Sequence, residues 1–147
     1  MKRTLLLLVT VLALSSAEAR TQYLGVGAAL TGDELSFGLP MLSLQYGTFL
    51  SESLEFRGRI DTILFVTDVG VALLYTQGLI DDLRGYAGGG VNLLTILGPG
   101  AVSAVHLAAG LEYRTASLGT FGDVQAGYSS FGFSPTLRAG INVYLEP

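Results

Sequence analysis

The chain has 147 residues, of which 50% are hydrophobic and only 14% are charged, and its mean hydropathy is +0.53. A soluble domain carries about a quarter of its residues as charged groups, so this composition predicts a surface that does not face water alone. The formal net charge of −4 excludes a basic nucleic-acid-binding surface. Cysteine is absent, which excludes disulfides, thiolate metal sites and a cysteine nucleophile.

The start of the chain has the features of a secretory signal peptide. A basic "MKR" is followed by an apolar stretch at 5–14 and by "AEA" at 17–19, a small-x-small cleavage site. The apolar stretch is too short for a retained membrane helix. We therefore predict an exported protein with a signal peptide at 1–19 and one domain at 20–147.

Glycines and prolines divide the rest of the chain into eight segments of alternating polarity. In "LEFRGRID", at 54–61, every second residue is charged and the residues between are apolar or glycine. A period of two is that of a β-strand. The four prolines are assigned to connections or to the chain end, where a missing N–H interrupts no ladder. The predicted strands are 21–31, 41–50, 53–65, 69–77, 83–96, 101–114, 120–129 and 136–146.

Sorting the strand residues by parity separates an apolar face from a polar one. The apolar face, to which Leu107 and Ile141 belong, carries no charge in any strand. The polar face holds five acids and five arginines, with amides and one histidine. The predicted polar set is Glu55, Arg57, Arg59, Asp61, Arg84, His106, Glu112, Arg114, Asp123, Arg138 and Glu146, joined by Gln45, Asn92, Gln125 and Asn142.

The polar face also carries most of the strand glycines, which indicates the direction in which it points. Glycine weakens a water-facing strand, but in a narrow closed barrel it makes room for long side chains. Balanced charges fit an interior too, because buried ions need partners. The apolar face then faces lipid, where a β-protein must close on itself. The prediction is an all-β, antiparallel up-and-down transmembrane β-barrel, most simply of eight strands.

Aromatic residues near the predicted strand ends are typical of the girdles that such barrels place at the membrane interfaces. The predicted girdle residues are Tyr23, Phe49, Phe56, Phe65, Tyr75, Tyr113 and Tyr144.

The segment 85–111 offers an alternative, since it carries no Asp, Glu, Lys or Arg and is long enough to cross a bilayer as a helix. Its glycines and the central Gly98-Pro99-Gly100 suit a hairpin turn better than a helix interior. We therefore predict two strands here.

At the level of pattern, the whole mature chain resembles the small eight-stranded outer-membrane barrels of the OmpA/OmpX type. The last strand, "RAGINVYL", looks similar to the C-terminal assembly signal of that class. Arg138 takes the polar position, Gly140 the glycine, and Val143 and Leu145 the terminal hydrophobic positions. The resemblance implies insertion into the outer membrane by the barrel assembly machinery.

Some small barrels of this kind modify lipids, which makes His106 a candidate base. A Ser–His–acid set could be drawn from Ser103, His106 and Glu112, but parity places Ser103 on the opposite face from the other two. We therefore expect His106 to be an inward side chain with hydrogen bonds in a polar core, and we assign no catalytic residue.

Two further patterns are interpreted as structural. The glycine clusters at 25–27 and 85–90 open no helix, so they are strand glycines and not nucleotide loops. The acids outside the strand cores are expected to be solvated and to bind no metal, because a calcium site needs more oxygen ligands. These acids are Asp33, Glu34, Glu52, Asp68, Asp81 and Asp82.

The sequence thus predicts a monomeric, non-enzymatic outer-membrane barrel without cofactor, a structural envelope component whose lumen is closed by charged side chains. Its expected partners are the bilayer and the assembly machinery, and no nucleic acid. Two alternatives remain open. One is a secreted soluble barrel that binds an apolar ligand, and the other is a lipid-modifying outer-membrane enzyme that uses His106.

Overall fold

A computed structural model describes residues 21–32, 37–63, 66–96, 101–129 and 132–145. Several sequence expectations fall outside these ranges: the signal peptide at 1–19, Asp33, Glu34, Phe65, the Gly98-Pro99-Gly100 turn and Glu146.

The described chain forms eight antiparallel strands that pair in sequence order, and β1 closes the barrel by pairing with β8. The prediction of an all-β up-and-down barrel of eight strands is confirmed. The strands are β1 (Gln22–Gly32), β2 (Phe37–Phe49), β3 (Leu54–Ile63), β4 (Val66–Ile80), β5 (Leu83–Ile96), β6 (Ala101–Arg114), β7 (Leu118–Ser129) and β8 (Gly132–Leu145).

The segment that could have been one long helix is the β5–β6 hairpin. Its two strands pair from Leu83 opposite Tyr113 to Thr95 opposite Ala101. Within the described ranges, no helix has the length and the apolar character that crossing a membrane would require.

The register fixes how far the strands are offset around the barrel. Starting at Phe49 on β2 and moving from each residue to its paired residue on the next strand, one full circuit of the barrel ends at Thr31 on β1. On its other side, however, Phe49 lies next to Thr21 of β1, since its N–H donates to the carbonyl of Thr21 at 3.1 Å. The offset is therefore ten residues, from 21 to 31 on β1. Strand number and offset together set the tilt and the width, and at eight strands the interior is just wide enough for side chains to fill. The intermediate partners are Glu55, Leu74, Gly88, Ala108, Gln125 and Thr136.

Two prolines that the sequence predicts to lie in connections lie in strands instead. Pro40 pairs with Leu30 of β1, and Pro135 pairs with Ala126 of β7. Each lies beyond the last described pair with its other neighbouring strand, so its missing N–H interrupts the ladder little. The strands therefore run further than the proline positions indicated.

The two faces of the barrel wall are sorted as parity predicted. Every residue assigned to the apolar face is exposed or half-buried wherever its side chain is described, and none is buried. Leu107 and Val105 are among the most exposed, at 71% and 61%. Apolar side chains therefore cover the outside of the barrel, and the buried polar side chains fill its lumen.

Inward glycines make room for large inward side chains. A Cβ at Gly47 would overlap the ring of Tyr23 on β1, and a Cβ at Gly70 would overlap the amide of Asn92 on β5. The abundance of glycine on the polar face is thus explained by space in a narrow lumen.

Candidate functional site: the polar lumen

The centre of the lumen is organised around the carboxylate of Asp61 on β3. Arg138 of β8 donates to its Oδ2 through Nε at 2.9 Å and Nη2 at 2.8 Å. Ser43 donates its hydroxyl to Oδ1 at 2.5 Å. Arg59 Nε lies 3.0 Å from Oδ2 at an angle that makes no hydrogen bond, so that contact is an ion pair. One buried carboxylate therefore serves two arginines and a serine.

Arg138 continues across the lumen to a second carboxylate. Its Nη1 lies 3.4 Å from Asp123 Oδ1 and 3.1 Å from Gln125 Oε1, both on β7. Arg57, on the opposite strand β3, approaches Asp123 Oδ2 at 3.6 Å, and the Tyr86 hydroxyl donates to the same oxygen at 3.1 Å. Because buried charges are costly without partners, these shared contacts hold β3, β5, β7 and β8 at fixed positions.

Toward the end of the barrel where β1 begins and β8 ends, tyrosine hydroxyls contribute to the pairing of the carboxylates. Tyr23 donates its hydroxyl to Glu55 Oε1, which also accepts from Arg57 Nε at 2.7 Å. The Arg57 guanidinium lies over the Tyr86 ring, 4.3 Å from its centroid. A cation held between a carboxylate and an aromatic face is partnered by charge and by the ring quadrupole.

The second carboxylate at this end, Glu112 on β6, accepts from Asn142 Nδ2 at 2.7 Å and from the Tyr144 hydroxyl at 2.5 Å. Asn142 in turn accepts from Gln45 Nε2 at 2.6 Å, which extends the chain of contacts from β6 through β8 to β2. The Arg114 guanidinium lies over the Tyr144 ring at 3.6 Å.

Asp68 belongs to this lumen network, and the prediction that it lies in a connection is wrong. It lies in β4 and accepts from Asn92 Nδ2 at 2.7 Å, while Asn92 Oδ1 is 3.5 Å from Arg59 Nη2. The error came from the strand boundary, since β4 begins at Val66 and not at 69. The sequence does contain a signal for the inward position of Asp68, because Asp68 is two residues before Gly70, which parity assigns to the polar face.

His106 points inward, as predicted, but not with the hydrogen bonds expected of it. Its side chain is buried, and neither ring nitrogen has a hydrogen-bond partner. The side chain of Ser103 lies outside the described part of the chain, so the Ser–His–acid set receives no geometric support. Within that part, no group of three or more His, Cys, Asp or Glu residues could hold a metal ion.

Arg84 and Arg114, two further members of the predicted polar set, lie at the rim. Both are half-buried at the end of the barrel where β1 begins, and Arg84 makes no ion pair within the described ranges. Glu52, Asp81 and Asp82 are exposed in connections at this end, and Asp81 adopts a left-handed φ of 41° in its turn.

The girdle prediction is wrong for three of its residues. Tyr23, Phe49 and Tyr144 are buried in a cluster inside the barrel, because each shares parity with the polar face. The signals were in the sequence, since Tyr23 is two residues before Gly25 and Tyr144 is two after Asn142. Among the side chains that the structure describes, four aromatics are strongly exposed on the outer face: Tyr75, Tyr113, Tyr128 and Phe133.

Comparison with solved structures identifies the class of this barrel. The N-terminal β-barrel domain of Pseudomonas aeruginosa OprF matches with a TM-score of 0.71 at 13% identity, covering 85% of this chain and 97% of that one. Ail, the attachment invasion locus protein of Yersinia pestis, matches with a TM-score of 0.59 at 11% identity, over 87% and 100%. A designed transmembrane β-barrel matches with a TM-score of 0.58 at 16% identity, over 87% and 98%.

The chain therefore has the fold of the small eight-stranded transmembrane barrels, and the resemblance to the OmpA/OmpX type is confirmed at the level of fold. At these identities the likeness concerns the fold alone. No family model matches the sequence, and no curated protein matches it.

Proposed function

We propose that the protein is a non-enzymatic structural component of the outer membrane, a monomeric barrel whose lumen is closed by its own side chains. The observation that carries this proposal is the contact of Arg138 with Asp61 on one side and Asp123 on the other. Together with Arg57, it connects opposite walls at the middle of the lumen, where an open pore would need a water column.

The lumen chemistry argues against a soluble barrel with an apolar ligand. Such a barrel keeps apolar side chains inside, whereas here the interior holds four buried carboxylates and three buried arginines among the described residues: Glu55, Asp61, Glu112, Asp123, Arg57, Arg59 and Arg138. The exposed apolar side chains on the outside need lipid around them.

Among the described side chains, no geometry supports an enzymatic role. A general base needs a nucleophile or substrate proton within hydrogen-bond reach and a group that orients the ring. The ring nitrogens of His106 have neither. Export through the signal peptide at 1–19 and insertion by the barrel assembly machinery complete the proposal.

Planar-bilayer recording tests the closed lumen. The refolded barrel should show no large, stable conductance, because steady ion flow would require displacing the ion pairs of Arg138. Conductance of porin size would contradict a closed lumen.

Cell fractionation tests the location, since recovery in the soluble periplasm would contradict the membrane assignment. The lipid A profile tests the enzymatic alternative, since a change in that profile on expression would favour the enzyme.

A further inference from the structure

The outer face of the barrel has a gap in its apolar cover at Gly58 on β3. A Cβ at Gly58 would meet only the carbonyl oxygen of Tyr46, at 4.0 Å, so the space above the glycine is open. Four large apolar side chains surround this space. Phe56 and Ile60 lie two residues away along β3, while Tyr46 and Val71 are the direct register partners on β2 and β4. We call these four residues and Gly58 the Gly58 socket.

The socket has the size and the chemistry of a binding groove for an apolar ligand. It belongs to a groove of about 380 Å³ that Leu24, Leu44 and Val69 extend. Ligand sites typically have volumes of roughly 300–1,000 Å³. Gln45 and Arg59 also border it, but both side chains are buried in the lumen, so they contribute main chain to the floor.

We propose that the Gly58 socket binds an acyl chain of a membrane phospholipid. The groove is continuous with the apolar belt that faces the bilayer, so an acyl chain is the molecule that reaches it. No charged or amide side chain points into the groove, so the groove recognises only the acyl chain of the lipid and not its headgroup. Tyr46 and Phe56, both half-buried, form the aromatic side of the groove.

The other outward glycines show that the socket is not simply an effect of glycine. A Cβ at Gly89 would meet Leu107 Cδ2 at 3.2 Å, so that glycine is already covered by its neighbour. Gly122 on β7 is as open as Gly58, since a Cβ there would meet only the carbonyl oxygen of Arg138 at 3.8 Å. Gly122 borders a second, wider outer groove of about 700 Å³, but its register partner on β8 is Ala139, so no large apolar side chain closes that side.

Native mass spectrometry with a phosphatidylethanolamine of defined chains tests the proposal. The wild-type barrel, released from detergent micelles that contain this lipid, should retain one lipid at collision energies that remove the rest. Gly58→Leu should lower the affinity for this lipid by about tenfold or more, because at least two methylene groups of the chain lose their contacts. Ala126→Leu, which enlarges an outward side chain of β7 outside the lining of both grooves, should retain the lipid as the wild type does.

Heat-modifiable mobility on gels verifies that each variant is folded. If Gly58→Leu does not fold, Gly58→Ala should still weaken retention in the same measurement. No retained lipid in the wild type, full retention by folded Gly58→Leu, or equal loss in Ala126→Leu would each overturn the proposal. So would a barrel dimer that Gly58→Leu abolishes, since the socket would then hold a neighbouring barrel.

Discussion

The two faces of the barrel wall are made by alternate residues of the same strands, yet they constrain the sequence differently. On the inner face the buried charged side chains have particular partners, as Arg138 has Asp61, Asp123 and Gln125. On the outer face Leu107 and Val105 have lipid as their neighbour, and lipid has no fixed shape. The inner face is therefore specific in pairing, and the outer face is specific only in polarity.

The largest expected effect is the removal of the central arginine. Arg138→Met keeps the apolar part of the side chain but leaves Asp61 and Asp123 short of a charged partner, so it should lower the free energy of unfolding by about 3–5 kcal/mol. Urea unfolding in lipid vesicles, followed by gel mobility, measures this. A loss below about 1 kcal/mol would mean that the inner face is not specific in pairing.

A charge on the outer face should have the next largest effect. Leu107→Arg places a guanidinium among acyl chains without a partner and should cost about 2–4 kcal/mol. Leu107→Phe is the matched variant, and it should be close to neutral because lipid accommodates the larger ring. In a close-packed interior the same change would cost about 1–3 kcal/mol through overpacking. Equal losses for Phe and Arg would contradict the outward assignment.

Removing one inner hydroxyl should cost less. Tyr23→Phe keeps the ring and loses the hydrogen bond to the Glu55 carboxylate, a type of bond worth about 1.5–3 kcal/mol. Tyr128→Phe removes the same atom from a side chain that is 67% exposed on the outer face, and it should change stability by less than about 0.5 kcal/mol. If both variants lower the free energy of unfolding by the same amount, hydrogen bonding by tyrosine hydroxyls does not distinguish the inner face from the outer one.

The smallest effect is expected at His106, which is an exception to this pairing on the inner face. His106→Gln loses no hydrogen bond, because neither ring nitrogen has a partner, so the free energy of unfolding should change by less than about 1 kcal/mol. Asn92→Leu at the same end removes an amide that contacts Asp68 and Arg59, and it should cost more. A larger loss for His106→Gln than for Asn92→Leu would show that His106 has a partner in solution.

Sequence periodicity was sufficient to predict the barrel and the two faces. Alternation such as that of Glu55, Arg57, Arg59 and Asp61 depends only on the period of a β-strand, so parity assigned these side chains without knowledge of the register. Errors arose where parity was not applied. The aromatics Tyr23 and Tyr144 were assigned by their place near strand ends, although their parity is that of the lumen.

The pairing inside the lumen could not be predicted from the sequence. Arg138 and Asp61 are 77 residues apart, and they meet only because eight strands close with an offset of ten residues. Strand offset follows from turns and from closure, which a pattern of polarity does not encode. The missing partners of His106 were unpredictable for the same reason, since the register sets Gly90 and Gly127, which have no side chain to offer, opposite it.

The fit of Tyr23 against Gly47 has a consequence for how such a chain can change over generations. The lumen has a fixed volume, so a larger residue at one inward position requires a smaller one on a neighbouring strand. Substitutions inside should therefore be inherited as compensating pairs, and a swap such as Tyr23→Gly with Gly47→Tyr should be tolerated better than Gly47→Tyr alone. Positions facing lipid can drift one at a time among apolar residues. Two barrels descended from one ancestor would then lose recognisable sequence identity first on the outside. On their inner faces, large and small residues would change places between neighbouring strands while the total side-chain volume in the lumen stayed constant.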